Sequence, residues 1–366
     1  MIWAALIILY LTFLRMSVAL VNLLTRPHPG SEGSGHGPMV SVLVPARNEE
    51  KNIGRLLDSL IAQKYEPLEI IVYNDASTDG TEKVLREYAA ANANVRYING
   101  SELPEGWLGK NRACHLLASE AKGDFFLFID ADVTAGSTIV SSAVRMMEEG
   151  ELALFSVFPH QEMHTRGERV VVPIMNWILL SLLPMILVRR CRWSSFSAAN
   201  GQFMMFRASV YQRYRFHEMV RMRLAEDIAI ARLMKRERLR IQTLVSRGDI
   251  SCRMYTGYAD AINGFAKNVI TMFGDSRMFI LFFLIISIFG WLPVLVGVGW
   301  PGMAAYLLMV ILINLSVAAA SGQKIMDAFL FFPERMAAFV RIVFGAFAIR
   351  GRKSYEWKER RITEIV

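Results

Sequence analysis

Cysteine is scarce: the 366-residue chain has three, Cys114, Cys191 and Cys252, far apart and with no CxxC. So few cannot close a disulfide framework, and their spacing is not that of a zinc site, so a reducing compartment fits. Charge is thin as well, with charged residues at 20% against 53% apolar, where about 45–50% apolar is usual. That balance excludes a disordered, collagenous or coiled-coil chain and is too apolar for an ordinary soluble enzyme. Neither GxGxxG nor GxxxxGK[ST] occurs, which leaves a dinucleotide fold and a P-loop ATPase unsupported. The net charge of +8 comes from Lys and Arg spread among apolar stretches. Such a distribution suits a membrane surface and argues against nucleic acid. At about 150 residues per domain the length allows two or three units.

What the chain does have is long apolar runs. Residues 2–24 are long enough to cross about 30 Å of hydrocarbon. Arg15 inside that run costs about 2.5–3.5 kcal/mol, offset by about a dozen apolar neighbours at about −0.3 to −0.6 each. No basic n-region precedes it, so residues 1–25 are expected to be an uncleaved anchor rather than a signal peptide. Residues 26–38, mostly PHPGSEGSGHGP, form a linker. Residues 278–321 hold two more runs joined at Trp300-Pro301-Gly302, the pattern of a transmembrane hairpin. Residues 328–349 are interrupted by Pro333, Glu334, Arg335 and Arg341, and a basic tail follows. The positive-inside tendency places that tail in the cytoplasm, so 322–366 are expected to be an interfacial or re-entrant segment and a cytoplasmic tail. Residues 170–188 have the length of a span but contain Pro173, Asn176 and Pro184. A crossing there would part residues 130–132 from 226–227, so a membrane-surface helix is expected instead.

Residues 39–277 remain as a catalytic domain. Within 40–157, short β-branched runs alternate with helical periods. VSVLVP (40–45), EIIVYN (69–74), VRYING (95–100) and DFFLFID (124–130) predict strands. Asn48 is expected to cap a helix whose stripe is Ile53, Leu56, Leu57, Leu60 and Ile61. This alternation implies an α/β fold with a mostly parallel sheet and right-handed crossovers. In such sheets ligands bind beyond the carboxyl ends of the strands. The polar clusters Ala46-Arg47-Asn48-Glu49, Asp75 and Asp130-Ala131-Asp132 all fall there.

Carboxylates at i and i+2 after a buried strand, as in Asp130 and Asp132, suit a hard divalent cation that also grips a diphosphate. A strand end with a helix-capping Asp is the plainer alternative. Glu226-Asp227, at the start of a helical stretch, could serve only the helix dipole; the functional alternative is a general base for an acceptor hydroxyl.

Five segments in order, PARNEE (45–50), VYNDASTDGT (72–81), GWLGKNRACHLLA (106–118), DADV (130–133) and AED (225–227), resemble glycosyltransferase family 2 of the GT-A fold over about residues 40–277. CRMYTGYADAINGFAKN (252–268) and SYEWKERR (354–361) are similar to membrane enzymes that glycosylate carotenoid acids or hopanoid-like lipids. The resemblance implies an inverting, metal-dependent transfer of a sugar, with glucose expected, from a nucleotide sugar, with UDP expected, to a membrane lipid. It implies Mg2+ or Mn2+, held with the donor by Asp130 and Asp132. By the same resemblance Pro45, Ala46, Arg47 and Glu49 line the nucleotide pocket, Asp75 reads the base or ribose, and Lys110 approaches the diphosphate. Asp227 is the base, and Gly201, Gln202 and Glu226 lie in the acceptor and leaving-group region. The QxxRW motif of processive synthases is missing; Phe265 and Lys267 stand in its place, and Glu359 replaces a Gly of the related pattern. The protein is thus expected in a bacterial-type cell membrane, multi-pass, with its catalytic domain cytoplasmic. A polyprenyl-phosphate or polysaccharide glycosyltransferase, or a non-catalytic membrane scaffold, are the competing readings.

Overall fold

The computed structural model describes residues 1–25, 33–352, 354–357 and 360–363; the remaining linker and tail residues, Glu359 among them, lie outside the described residues. The chain forms two compact units.

The first is built on strands β1 (His36–Ala46), β2 (Glu66–Asn74), β3 (Val95–Asn99), β4 (Phe125–Ile129), β5 (Val133–Ala135), β6 (Leu154–Phe158), β7 (His160–Gln161), β8 (Phe203–Arg207), β9 (Ile241–Val245) and β10 (Ile250–Cys252). Seven of them make one sheet in the order β3-β2-β1-β4-β8-β6-β9. All its pairings are parallel except those of β8. All five residues of β4 are buried, as expected of a strand covered on both faces. The helix Ile53–Ile61 buries Ile53, Leu56, Leu57 and Leu60 of the predicted stripe, whereas Ile61, its last residue, is exposed because the helix ends there. Because β8 runs backwards, its amino end lies beside the carboxyl end of β4. That reversal brings Gly201 and Gln202 to the edge where Asp130 leaves the sheet, and the Asp130 amide donates to the Gln202 carbonyl at 3.3 Å. A small sheet, β5-β10-β7, continues from the same edge.

The second unit is helical. It contains Ile2–Thr25, Pro173–Leu182, Tyr258–Met272, Arg277–Phe289, Trp291–Ala320 and Phe332–Arg352. Segments 163–187 and 254–277, which the sequence assigns to the catalytic domain, pack here. Asn22 shows why: its Nδ2 donates to the carbonyls of Leu180 and Leu183, and its Oδ1 accepts from the Met185 amide. Arg15 lies over the rings of Trp177 and Phe283, 4.7 and 4.6 Å from their centroids. Two aromatic faces thereby offset the burial of that cation.

Ile2–Thr25 and Trp291–Ala320 are long and apolar enough to cross a membrane. Leu6, Ile7, Tyr10, Phe13, Leu307, Leu308 and Ile311 on them are exposed, an apolar surface that suits lipid better than water. Trp291–Ala320 is kinked at Gly299, whose φ of 75° is open to glycine. Across the kink, a Cβ placed on Gly290 would lie 3.2 Å from the Tyr306 hydroxyl.

Candidate active site

The loop after β1 and the loop after β2 are laced together. Arg47 is buried, and its Nη1 donates to the carbonyls of Asp75 and Ala76 at 2.6 and 2.9 Å. The Asp75 amide donates to the Ala46 carbonyl, and the Glu49 amide to the Thr81 hydroxyl. Asn48 is not the helix cap expected of it. It sits in the left-handed region at φ 51°, and its Oδ1 accepts from the Thr78 amide at 2.8 Å. The helix begins later, at Ile53. Pro45 and Ala46 are the last two residues of β1 and lead into the loop that carries Arg47, Asn48 and Glu49.

The charged centre lies at the carboxyl end of β4. Lys110, near the start of the helix Gly109–Glu120, bridges two acids: its Nζ is 2.8 Å from Asp130 Oδ1 and 3.0 Å from Glu226 Oε1. Burial opposes its charge, but the carboxylates of Asp130 and Glu226 prevail and hold its pKa well above the ordinary lysine value. Asp227 follows on the helix Glu226–Arg236; its Oδ2 accepts from the Gly201 amide at 3.0 Å and its Oδ1 from the Ile228 amide at 2.7 Å. Burial, reinforced by the charge of Glu226, pushes the Asp227 carboxyl up to about 7. A carboxylate of that strength is poised as a proton acceptor near neutral pH.

Gly201 sits between these groups. A Cβ there would lie 2.9 Å from Glu226 Oε1 and 3.0 Å from Lys110 Nζ. Gly201→Ala should therefore displace the ion pair, and a shift of about 1 Å in such a site costs about a hundredfold in rate. A circular dichroism spectrum and melting curve unchanged beside a wild-type rate would refute this packing.

Asp132 is the natural metal-ligand candidate. One of its oxygens, Oδ1, is buried without a hydrogen-bond partner. Burial, then the nearby Asp130 and Glu49 charges, raise its carboxyl to about 6. An orphaned oxygen among like charges fits a divalent cation, which would supply the missing partner. Among the described residues no cluster of three His, Cys, Asp or Glu side chains forms a ready cage. Asp130 and Asp132 would thus share the ion with oxygens from outside the chain, as a diphosphate would provide.

Three residues here escaped sequence reasoning. Gln202 Nε2 contacts Cys252 Sγ at 2.7 Å, and Cys252 also faces Asp132. Asn111 is buried and donates to the carbonyls of Val220, Arg221 and Arg223, fixing the loop that precedes Glu226. Both contacts join stretches far apart in the chain, so local pattern around Cys252 and Asn111 carries no sign of either. Gln161, on β7, donates to Gln202 at 3.4 Å. Phe265 and Lys267 lie on Tyr258–Met272 in the helical unit, where Phe265 meets the Tyr255 ring edge-on at 5.0 Å.

Residues 41–215 match the sequence model of Glycosyl transferase family 2. The 4,4'-diaponeurosporenoate glycosyltransferase of Staphylococcus haemolyticus is 28% identical over 263 residues, 69% of this chain and 66% of the relative. The Staphylococcus aureus protein of the same name is 26% identical, covering 70% of this chain and 68% of its own length. The chain thus spans only about two thirds of these relatives. A mannosyltransferase of Pyrobaculum calidifontis, solved with GDP-Man and Mn2+, is similar in fold, with a TM-score of 0.54 at 17% identity, covering 94% of this chain and 99% of that one. These matches make residues 41–215 a Glycosyl transferase family 2 domain, and the sheet order agrees with the GT-A fold of the structural neighbour.

Proposed function

We propose that the protein is an inverting, metal-dependent transferase that moves a sugar from a nucleotide-sugar donor to a lipid acceptor in the membrane. The observation that carries this reading is the Lys110 bridge from Asp130 to Glu226, which ties the donor side of the site to Asp227. The nucleotide occupies the wall made by Pro45, Ala46, Arg47 and Glu49, with Asp75 at the base or ribose. Asp130 and Asp132 would hold Mg2+ or Mn2+, which would supply positive charge to the diphosphate. Asp227 accepts the proton of the acceptor hydroxyl. The oxygen attacks the anomeric carbon as the bond to the diphosphate breaks, so one displacement inverts that centre. Lys110, held between two acids, keeps Asp130 and Glu226 apart at fixed spacing and positions both ends of the site.

UDP-glucose is the donor we favour. The relatives are named for an acceptor that is a carotenoid acid, which supports a lipid here. Purified protein in lipid vesicles should transfer labelled sugar from a nucleotide sugar to the organic phase. Failure with every common nucleotide sugar and a total lipid extract would sink the proposal.

The catalytic unit must share a side with its cytoplasmic donor. Cysteines placed at Ser34 and at Ser354 should both resist an impermeant thiol reagent in intact cells. Labelling of Ser34→Cys from outside would overturn the cytoplasmic orientation.

A further inference from the structure

Away from the acidic edge, the first unit has a basic cavity of about 320 Å3. Arg189, Arg190, Arg192, Arg238 and Arg240 line it, and Lys235 lies among them. Lys235 is buried and spends its ammonium on the carbonyls of Val188 and Cys191, which pins the 188–191 turn against the helix Glu226–Arg236. Glu151, outside the lining, pairs with Arg240, and none of the lining residues is a carboxylate. Among the described residues, Arg189, Arg190, Arg192 and Arg238 thus line one space with no ion pair to a carboxylate.

Two features say which anion belongs there. The arginines follow directly on the apolar segment 170–188 in the chain. Beside them Trp193 is 71% exposed and stacks on Phe196, with ring centroids 6.2 Å apart. Arginine clusters flanked by an exposed tryptophan are the composition of a membrane–water interface. A soluble phosphate would need the charges but not the exposed indole.

We propose that this cavity binds the phosphate headgroup of an anionic membrane phospholipid, with Trp193 lying at the level of the headgroups. The planar guanidinium forks match phosphate oxygens two at a time. Such a contact orients the catalytic unit on the bilayer independently of which sugar is moved. The inference rests on the membrane location proposed above, but not on the identity of donor or acceptor.

The test uses the full chain in phosphatidylcholine nanodiscs, with retention of labelled phosphatidylglycerol as the readout. Each arginine contributes about 1 kcal/mol near an anionic surface. Each Arg→Gln change among Arg189, Arg190, Arg192 and Arg238 should thus weaken retention by about fivefold, and the quadruple variant should retain no more than phosphatidylcholine controls. The quadruple Arg→Lys variant, which keeps the charge but not the planar forks, should recover only part of the retention, and an unchanged melting curve for the quadruple Gln variant shows that its loss is not misfolding. Sugar transfer in neutral discs should be the same for wild type and variants, which separates failure of this proposal from failure of the proposed activity. Equal retention by wild type and the quadruple Gln variant would overturn the proposal. So would competition by inorganic phosphate at the lipid's own concentration, which would make the site one for soluble anions.

Discussion

Asp227→Asn is expected to lower turnover by at least about a hundredfold if the acceptor is a hydroxyl, because loss of a general base typically costs about 10²–10⁴-fold. The carboxyl of Asp227 is raised to about 7 by burial and by Glu226, and a base must be unprotonated to act. Wild-type activity should therefore rise with pH through about 7 and level off above it, while the residual activity of the variant should lack that limb. The same variant reports on the acceptor. A carboxylic acid acceptor, with a pKa near 4, is already ionised at neutral pH; it could attack unaided, and Asp227 would be an unhelpful like charge. A glycosyl ester product, recognised by its lability in alkali, should then form nearly as fast in Asp227→Asn as in wild type. A base-stable glycoside made at the wild-type rate by the variant would show that Asp227 is not the base.

Asp132→Asn should have opposite effects on activity and on stability. Transfer should be lost, because the orphaned Oδ1 and its ionised partner oxygen are what the metal needs. The metal-free protein should become more stable at neutral pH. The Asp132 carboxyl is raised from 3.8 to about 6, so the folded state holds the proton more tightly than the unfolded chain. That contribution is present below about pH 4 and is lost as pH rises through about 6. Above it, the buried carboxylate costs about 3 kcal/mol. Asparagine removes the cost, so the melting temperature of the variant should exceed that of wild type at pH 8 and match it at low pH. Added Mn2+ should raise the melting temperature of wild type but not of the variant. Full transfer by wild type in EDTA, or a metal-induced shift that persists in Asp132→Asn, would remove Asp132 from the metal site.

The parts of this structure legible in the sequence were those governed by local pattern. The cores of β1, β2 and β4 read directly because a strand buried on both faces is a near-continuous apolar run, with Ser41 the buried exception in the core of β1. The stripe of Ile53–Ile61 read because its period is helical. β8 and β9 are each five residues long and joined through helices, so pattern alone does not separate them from their surroundings. The same holds at the site. That polar residues gather beyond the strand ends follows from the fold, but what each one touches does not. Lys110 is bound between Asp130 and Glu226, and that pairing joins three distant stretches of chain. Asn48 looked like a cap because Asn is favoured there; tertiary bonds to the β2 loop hold it in a left-handed conformation that Asn also tolerates. Segments 163–187 and 254–277 were assigned by chain order, whereas their side chains choose the helical unit.

The central claim is that the membrane helices and the acidic edge belong to one activity, the glycosylation of a lipid. Mass spectrometry of membrane lipids tests it most directly, comparing cells that make the wild-type chain with cells that make Asp132→Asn at equal abundance. A lipid bearing one added sugar should be present in the first and absent from the second, with its unglycosylated precursor accumulating. Identical lipid profiles in the two would contradict the account.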